Sequence, residues 1–250
     1  MNVVIIGAGQ TGRGFIAPII RDNGDRITFI DKNAALIAAL NCEQSYQVKY
    51  FGDAKPAITI RNYQAYTSAD PQAVEQIAQA DLVTTSVFAS HISELLPLLQ
   101  TAVAQRVKKN RLQIICCENG IDVKRPLIVG NLDAVVSEGI IFCTTIQTDV
   151  NSLTLISENY PELPIDHAIR GLQVNVAGFH LEDHFSVLIQ RKIYTYNFMS
   201  AVVAYLGSYL GYEGYGEAAN DSSIESIMDQ ITPVISRIIA KEYDIPYPEQ

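Results

Sequence analysis

Apolar positions change their period along this chain, and each change marks an element. Residues 2–6 are apolar and β-branched after Asn2, the glycine-rich GAGQTG follows, and Phe15, Ile16, Ile19 and Ile20 then recur at helical spacing. The order is strand, turn, helix. Pro18 falls inside that helix, where it removes a backbone donor and predicts a local kink. DRITFID reads as a second strand ending at Asp31, and AALIAALN as a second helix, which completes a βαβ unit. Further on, DLVTTSV and LQIICCENG read as buried strands with the apolar-periodic HISELLPLLQTAVAQ between them as a helix.

This alternation predicts an α/β fold with a parallel, doubly wound sheet. Between the two halves, YQVKYFGDAKPAITIRNYQAYT is rich in β-branched and aromatic residues broken by Gly and Pro, and predicts extra strands or hairpins. AVVSEGIIFCTTIQ and SLTLISE add β content, and GLQVNVAGF is expected to add another strand. From Phe185 the period becomes helical, through VLIQRKIYTYNFMSAVVAYLG and IESIMDQITPVISRIIAKEY. The expected division is a sheet domain over 1–185 and a mainly helical one over 186–250. The Tyr-rich AYLGSYLGYEGYG reads as helix packing followed by a Gly-rich exit.

Composition narrows the function. The chain has 250 residues, is 48% hydrophobic and carries a net charge of -9. An acidic protein is a poor partner for nucleic acid, since phosphate backbones are bound by clustered Lys and Arg. The short basic run from Arg106 to Arg111 reads as a solvated helix end. No charged leader precedes Val3 and no apolar run is long enough to span a bilayer, so a cytoplasmic protein without membrane contact is expected. Cys42, Cys116, Cys117 and Cys143 match no zinc or redox spacing and read as reduced thiols. His180 and His184, with Glu182 and Asp183 between them, read as surface residues, and no metal is expected.

Gly7, Gly9 and Gly12 satisfy the G-x-G-x-x-G pattern in its required setting, after a strand and opening a helix. Gly7 would permit the tight turn, Gly9 the approach of backbone to a pyrophosphate, and Gly12 close packing of helix on strand. The amides of Gln10 and Thr11 would face the phosphates. Asp31 ends the second strand at roughly the 20-residue distance the ribose contact requires, which favours NAD over NADP, although Lys32 next door would soften repulsion of a 2'-phosphate. The competing interpretation of Asp31 is a cap for the following helix. In RKIYTYNFMSAVVAYLG, at about 100° per residue, Lys192 and Asn197 lie ~140° apart with Ser200 between them in projection. A desolvated Lys can act as a base and an Asn donor can stabilise charge on an oxygen, but an ordinary amphipathic helix has the same pattern.

GAGQTGRGF, SYQV, DLVTTSV, CENG and RKIYTYN followed by AYLG, in this order, resemble the mannitol-1-phosphate 5-dehydrogenases and the wider polyol-specific long-chain dehydrogenases. The resemblance implies a Rossmann-type NAD domain with added strands and the start of a helical substrate domain. It implies interconversion of mannitol 1-phosphate and fructose 6-phosphate, with Lys192 as general base and Asn197 polarising the oxygen. It also makes Thr85 and Asn119 lining residues of the nicotinamide site. There are departures. Ser200 stands where the family has His, Phe88 stands where Gly is usual, and the family continues through a much longer helical domain. Two alternatives are a hexuronate reductase of the same family and a catalytically weakened NAD-binding sensor.

Overall fold

The computed structural model describes residues 1–53 and 55–244. Two compact units divide the chain, Met1–Asp183 and His184–Gln250. The first begins with β1 (Asn2–Ile6), a helix that winds as a π turn over Gly12–Ile16 and continues as α1 (Ala17–Asp22), then β2 (Arg26–Asp31) and α2 (Ala34–Glu43). There follow β3 (Ser45–Tyr50), β4 (Ile58–Arg61), β5 (Gln64–Thr67), α3 (Pro71–Gln79), β6 (Leu82–Thr85), a 3-10 turn over Ala89–Leu95 and α4 (Leu96–Ala104). The remaining elements are β7 (Leu112–Cys116), α5 (Arg125–Val129), β8 (Ala134–Glu138), β9 (Thr145–Ile146), β10 (Leu155–Ser157), β11 (Leu163–Asp166) and β12 (Phe179–Glu182).

Six strands form one parallel sheet in the order β5-β2-β1-β6-β7-β8. Strand order reverses between β1 and β6, and in doubly wound sheets that point is where ligands bind. Val3 and Ile5 of β1 enter one core, with Phe29, Ile115 and the first helix, while Val4 and Ile6 enter the other, with Ala73, Ile77 and Leu99 of α3 and α4. A strand buried on both faces has no polar positions, which is why its sequence is continuously apolar. Cys116 and Cys117 fall on opposite faces of this sheet, both buried, and burial pushes both thiols up.

A second sheet, β4-β3-β10-β9, and the β11-β12 pair complete the unit. The middle segment thus divides its strands: β3 and β4 form an antiparallel hairpin, and β5 joins the large sheet beside β2. Two sequence expectations need correction. GLQVNVAGF forms no strand before Phe179, where β12 starts, and α3 occupies a segment assigned no helix, with Asp70 accepting from Gln72 N–H at 2.9 Å as its cap. The basic run also does more than solvate, since Arg106 donates to the carbonyls of Ala78 and Ala80 behind α3.

The second unit contains α6 (Phe185–Lys192), a π turn over Ile193–Asn197, α7 (Phe198–Leu210), α8 (Tyr215–Ala219) and α9 (Ser222–Glu242). Val203, Ala218 and Ile224 form its small core, and Tyr243 OH donates to Gln190 Oε1 at 2.8 Å, tying the end of α9 to α6. Gly211, at φ +86, closes α7 in a left-handed cap. Tyr205 and Tyr209 are 79% and 86% exposed, so these rings do not supply the helix packing expected of them. No helix among the described residues is long and apolar enough to cross a membrane.

Arg13 joins the first helix to the second sheet. It is fully buried, and its guanidinium donates to Ala8 O (2.6 Å), Leu153 O (2.8 Å) and Gln147 Oε1 (3.0 Å), while its own carbonyl accepts from Tyr46 OH (2.8 Å). A lysine has no planar fork to serve three acceptors at once. Arg13→Lys is expected to lower unfolding stability by about 3 kcal/mol, since buried carbonyls lose charged donors. Urea unfolding measures this, and an unchanged midpoint would show that the clamp contributes nothing.

Candidate functional site

The loop after β1 is shaped by close backbone approach. Gly7 N–H donates to Ile30 O and Ser86 N–H to Ile6 O, both at 2.8 Å, so the loop leaves the sheet pinned from β2 and β6. Gly7 has φ +100, and a Cβ there would lie 2.4 Å from Ser86 O. At Gly12 a Cβ would lie 2.1 Å from Gly7 O. The fold itself therefore demands these two glycines. Gly9 differs: a Cβ there meets nothing within 4 Å. Its bare backbone serves no internal packing, which fits a surface kept clear for a ligand. The first intrahelical bond runs from Arg13 N–H to Gly9 O at 3.1 Å, so the amides of Gln10, Thr11 and Gly12 precede the helix ladder at its positive end.

A cavity of about 620 Å³ opens at the carboxyl ends of β2, β1 and β6, bounded by Gly7, Gly9, Asp31, Val87, Phe88 and Leu98 among others. Asp31 Oδ2 accepts Ala8 N–H at 2.7 Å and Oδ1 accepts Asn33 N–H at 2.8 Å, which fixes the carboxylate while leaving lone pairs for hydroxyls. Asn33, not Asp31, caps α2, accepting from Leu36 N–H at 3.1 Å. Lys32 Nζ lies 4.0 Å from Glu94 Oε2, both exposed, a weak pair that partly offsets its charge. A second cavity of about 710 Å³ touches Gly9, Gln10, Arg13 and Gln147 on the other side of the loop.

Thr85, expected to line the crevice, is instead fully buried behind it, its hydroxyl donating to Glu118 Oε2 at 3.0 Å. Asn119 is exposed just beyond the end of β7. Nothing in CENG singles out Glu118, yet it is nearly completely buried and its Oε1 accepts Val87 N–H at 3.1 Å. Burial lifts its carboxyl to about 7, against the lowering effect of those hydrogen bonds and with a further push from Glu138. A carboxylate directly after an apolar strand was the available signal. Nearby, Lys124 pairs with Glu138 and with Asp166, the latter at 3.4 Å.

In the second unit Lys192 is buried at the end of α6, and burial lowers it to about 8. Asn197 and Ser200 are exposed. The ~140° separation drawn from regular helix geometry does not hold, because a π turn intervenes and Phe198 N–H bonds Ile193 O, five residues back. An i→i+5 register turns Lys192 and Asn197 closer together about the axis. Thr195 Oγ1 donates to Arg191 O at 2.6 Å within this turn. Gly7, Gly9 and Asp31 thus share one cavity, Gln10 borders the other, and Lys192, Asn197 and Ser200 share one helical stretch. His167, His180 and His91 pair with Asp183, Glu162 and Glu94, and the described residues contain no cluster of three or more His, Cys, Asp or Glu able to hold a metal.

The sequence profile of the mannitol dehydrogenase Rossmann domain matches residues 1–146. The chain belongs to the mannitol dehydrogenase family. Its first unit is accordingly the Rossmann domain of an NAD-dependent oxidoreductase, and the open backbone at Gly9 and the oriented Asp31 fit that cofactor. Solved structures of low identity share the fold. A D-mandelate dehydrogenase in complex with NADH is 16% identical over 97% of this chain and 74% of that one, with a TM-score of 0.62. A ketopantoate reductase from Ralstonia eutropha is 15% identical over 98% and 76%, at 0.65, and a 2-dehydropantoate 2-reductase from Methylococcus capsulatus is 16% identical over 98% and 81%, at 0.62.

Two expectations follow for this mannitol dehydrogenase family member. Gly9→Ala should leave the melting temperature of the ligand-free protein within about 2 °C of wild type, the range of a neutral surface change, and yet abolish thermal protection by NADH. Intact protection would show that no phosphate approaches this backbone. Glu118 tests the electrostatics. An unfolded glutamate loses its proton near 4.5 while the folded one holds it to about 7, so stability falls as pH rises between those values and is level above them. Glu118→Gln should therefore be more stable than wild type at pH 8, by roughly 3 kcal/mol, and not at pH 4. An equal difference at both pH values would contradict the raised carboxyl.

Proposed function

We propose that the protein is a polyol-phosphate dehydrogenase that interconverts mannitol 1-phosphate and fructose 6-phosphate. The observation that carries this reading is Lys192, a buried amine lowered to about 8, at the position where the polyol dehydrogenase resemblance places the base. Bound NAD supplies the hydride acceptor. Lys192, when neutral, takes the proton of the substrate hydroxyl as the carbon–hydrogen bond breaks, and its ammonium returns that proton in the reverse direction. The Asn197 amide donates a hydrogen bond to the same oxygen as it becomes a carbonyl, and Ser200 offers the substrate a hydroxyl where the family has an imidazole. In the first unit the glycine loop and the Gln10 and Thr11 amides hold the pyrophosphate, and Asp31 holds the adenosine ribose, with Asn119 at the nicotinamide end. A hexuronate as substrate would keep all these roles and exchange only the anion that is recognised.

The test is paired. Oxidation rates should rise as pH passes through about 8, because only the neutral amine accepts a proton. Lys192→Ala should lose roughly 10²–10⁴-fold in oxidation rate while NADH fluorescence titration stays within about twofold of wild type. Lys192→Arg should fail likewise, since a guanidinium stays protonated. Activity surviving in Lys192→Ala would remove the base. A wild type that binds NADH and oxidises neither polyol phosphates nor uronates would replace this reading with that of a cofactor sensor.

A further inference from the structure

Phe88 sits in a backbone conformation that an aromatic residue does not choose. Its φ is 69° and ψ 141°, whereas the other non-glycine residues at positive φ among those described are Gln44, Asn62, Asp122, Asn131 and Asp244. Asn and Asp enter the left-handed region, at small positive ψ, at small cost; ψ 141° lies outside it, where a bulky side chain sits only when its surroundings impose it. Here they do. Ser86 N–H is held by Ile6 O and Ser86 Oγ by Gly7 O, each at 2.8 Å, Val87 N–H by Glu118 Oε1 at 3.1 Å, and Phe88 O accepts from His91 N–H at 3.0 Å. Glycine would meet the same backbone without strain.

The ring gives the fold nothing in return, being 81% exposed. It does border the cavity that holds Asp31, with Val74, Val87, Leu95 and Leu98 as further apolar walls. A carboxylate for ribose hydroxyls at the end of β2 marks this cavity as the adenosine half of the dinucleotide site. An exposed aromatic face beside it, on a strained but anchored loop, matches what a planar base needs for stacking.

We infer that Phe88 is a stacking platform for the adenine ring, a specificity element that this chain holds where its family resemblance expects glycine. The inference rests on the NAD-binding reading of the glycine loop. It predicts a division between ligand halves: adenine-bearing ligands use Phe88, and reduced nicotinamide mononucleotide does not.

The experiment measures NADH, ADP-ribose and reduced nicotinamide mononucleotide affinities for wild type, Phe88→Gly, Phe88→Ala and Phe88→Tyr, with melting temperatures of the ligand-free proteins. Phe88→Gly should bind NADH and ADP-ribose about tenfold more weakly, the scale of one lost base stack, with mononucleotide affinity unchanged. Its melting temperature should rise by a few degrees as the strain is relieved. Phe88→Ala should lose the same affinity without that rise, and Phe88→Tyr should keep it. Equal ADP-ribose affinity in wild type and Phe88→Gly would overturn the platform and leave the cofactor reading standing. A lower melting temperature for Phe88→Gly would show that the ring serves the fold. Failure of the wild type to bind NADH at all would bring down both readings together.

Discussion

The carboxyl edge of the large sheet depends on one constraint: the backbones of Gly7, Gly12 and Ser86 meet with no room for a Cβ between them. That contact fixes where the chain leaves β1, how close the first helix lies to the sheet, and how near the β6 loop stands to the glycine loop. Because Gly7 is also tied to β2 through Ile30 O, the loop is held from both neighbouring strands. Arg13, in the π turn over Gly12–Ile16, then reaches back to Ala8 O and outward to Leu153 and Gln147. Gly9 is the position in this assembly that the packing leaves free. An open backbone enclosed by rigid neighbours is preorganised, and a ligand that meets it need not order the loop first.

Buried charge is handled differently at each place it occurs. Arg13 is surrounded by oxygen acceptors, so its charge is dispersed over hydrogen bonds. Burial alone would lower Lys124, but the hydrogen bond and charge of Glu138, then of Asp166, more than reverse it. Glu118 is offered two donors and is still raised to about 7, so desolvation wins there. Lys192 is lowered to about 8 by burial. The first two residues stay charged and act as structural ties. The last two lie within reach of neutral pH, where a group can change its proton, and such groups cluster at functional sites.

The glycine fingerprint and Asp31 were legible because every residue that matters lies within one βαβ unit, so local spacing carries the geometry. The placement of β5 was not. Its residues announce a strand, but pairing with β2 is a long-range choice that periodicity does not encode. The helix α3 was signalled by Asp70 and Pro71, a cap and a first-turn proline, and was obscured by the β-rich stretch before it. GLQVNVAGF shows the opposite error, since alternation predicted a strand where pairing with β11 starts only at Phe179. The π turn at Ile193–Asn197 leaves no mark in the apolar pattern, and so the angular relation of Lys192 to Asn197 could not be drawn from a regular helix.

Two of the least favourable local choices in the first unit meet at one short connection, Phe88 within it and Glu118 reaching it from the end of β7. Val87 is held by a carboxyl whose burial opposes its charge, and Phe88 next to it takes a conformation better suited to glycine. Neither improves the core: Phe88 faces outward, and Glu118 occupies a site where a neutral group would be easier to bury. A sequence shaped only for stability would remove both. Their coincidence at the carboxyl edge of β6, beside the point where strand order reverses, is what local cost accepted for a ligand looks like. This holds whichever anion the substrate carries, because the connection borders the Asp31 cavity and substrate identity enters nowhere in its geometry.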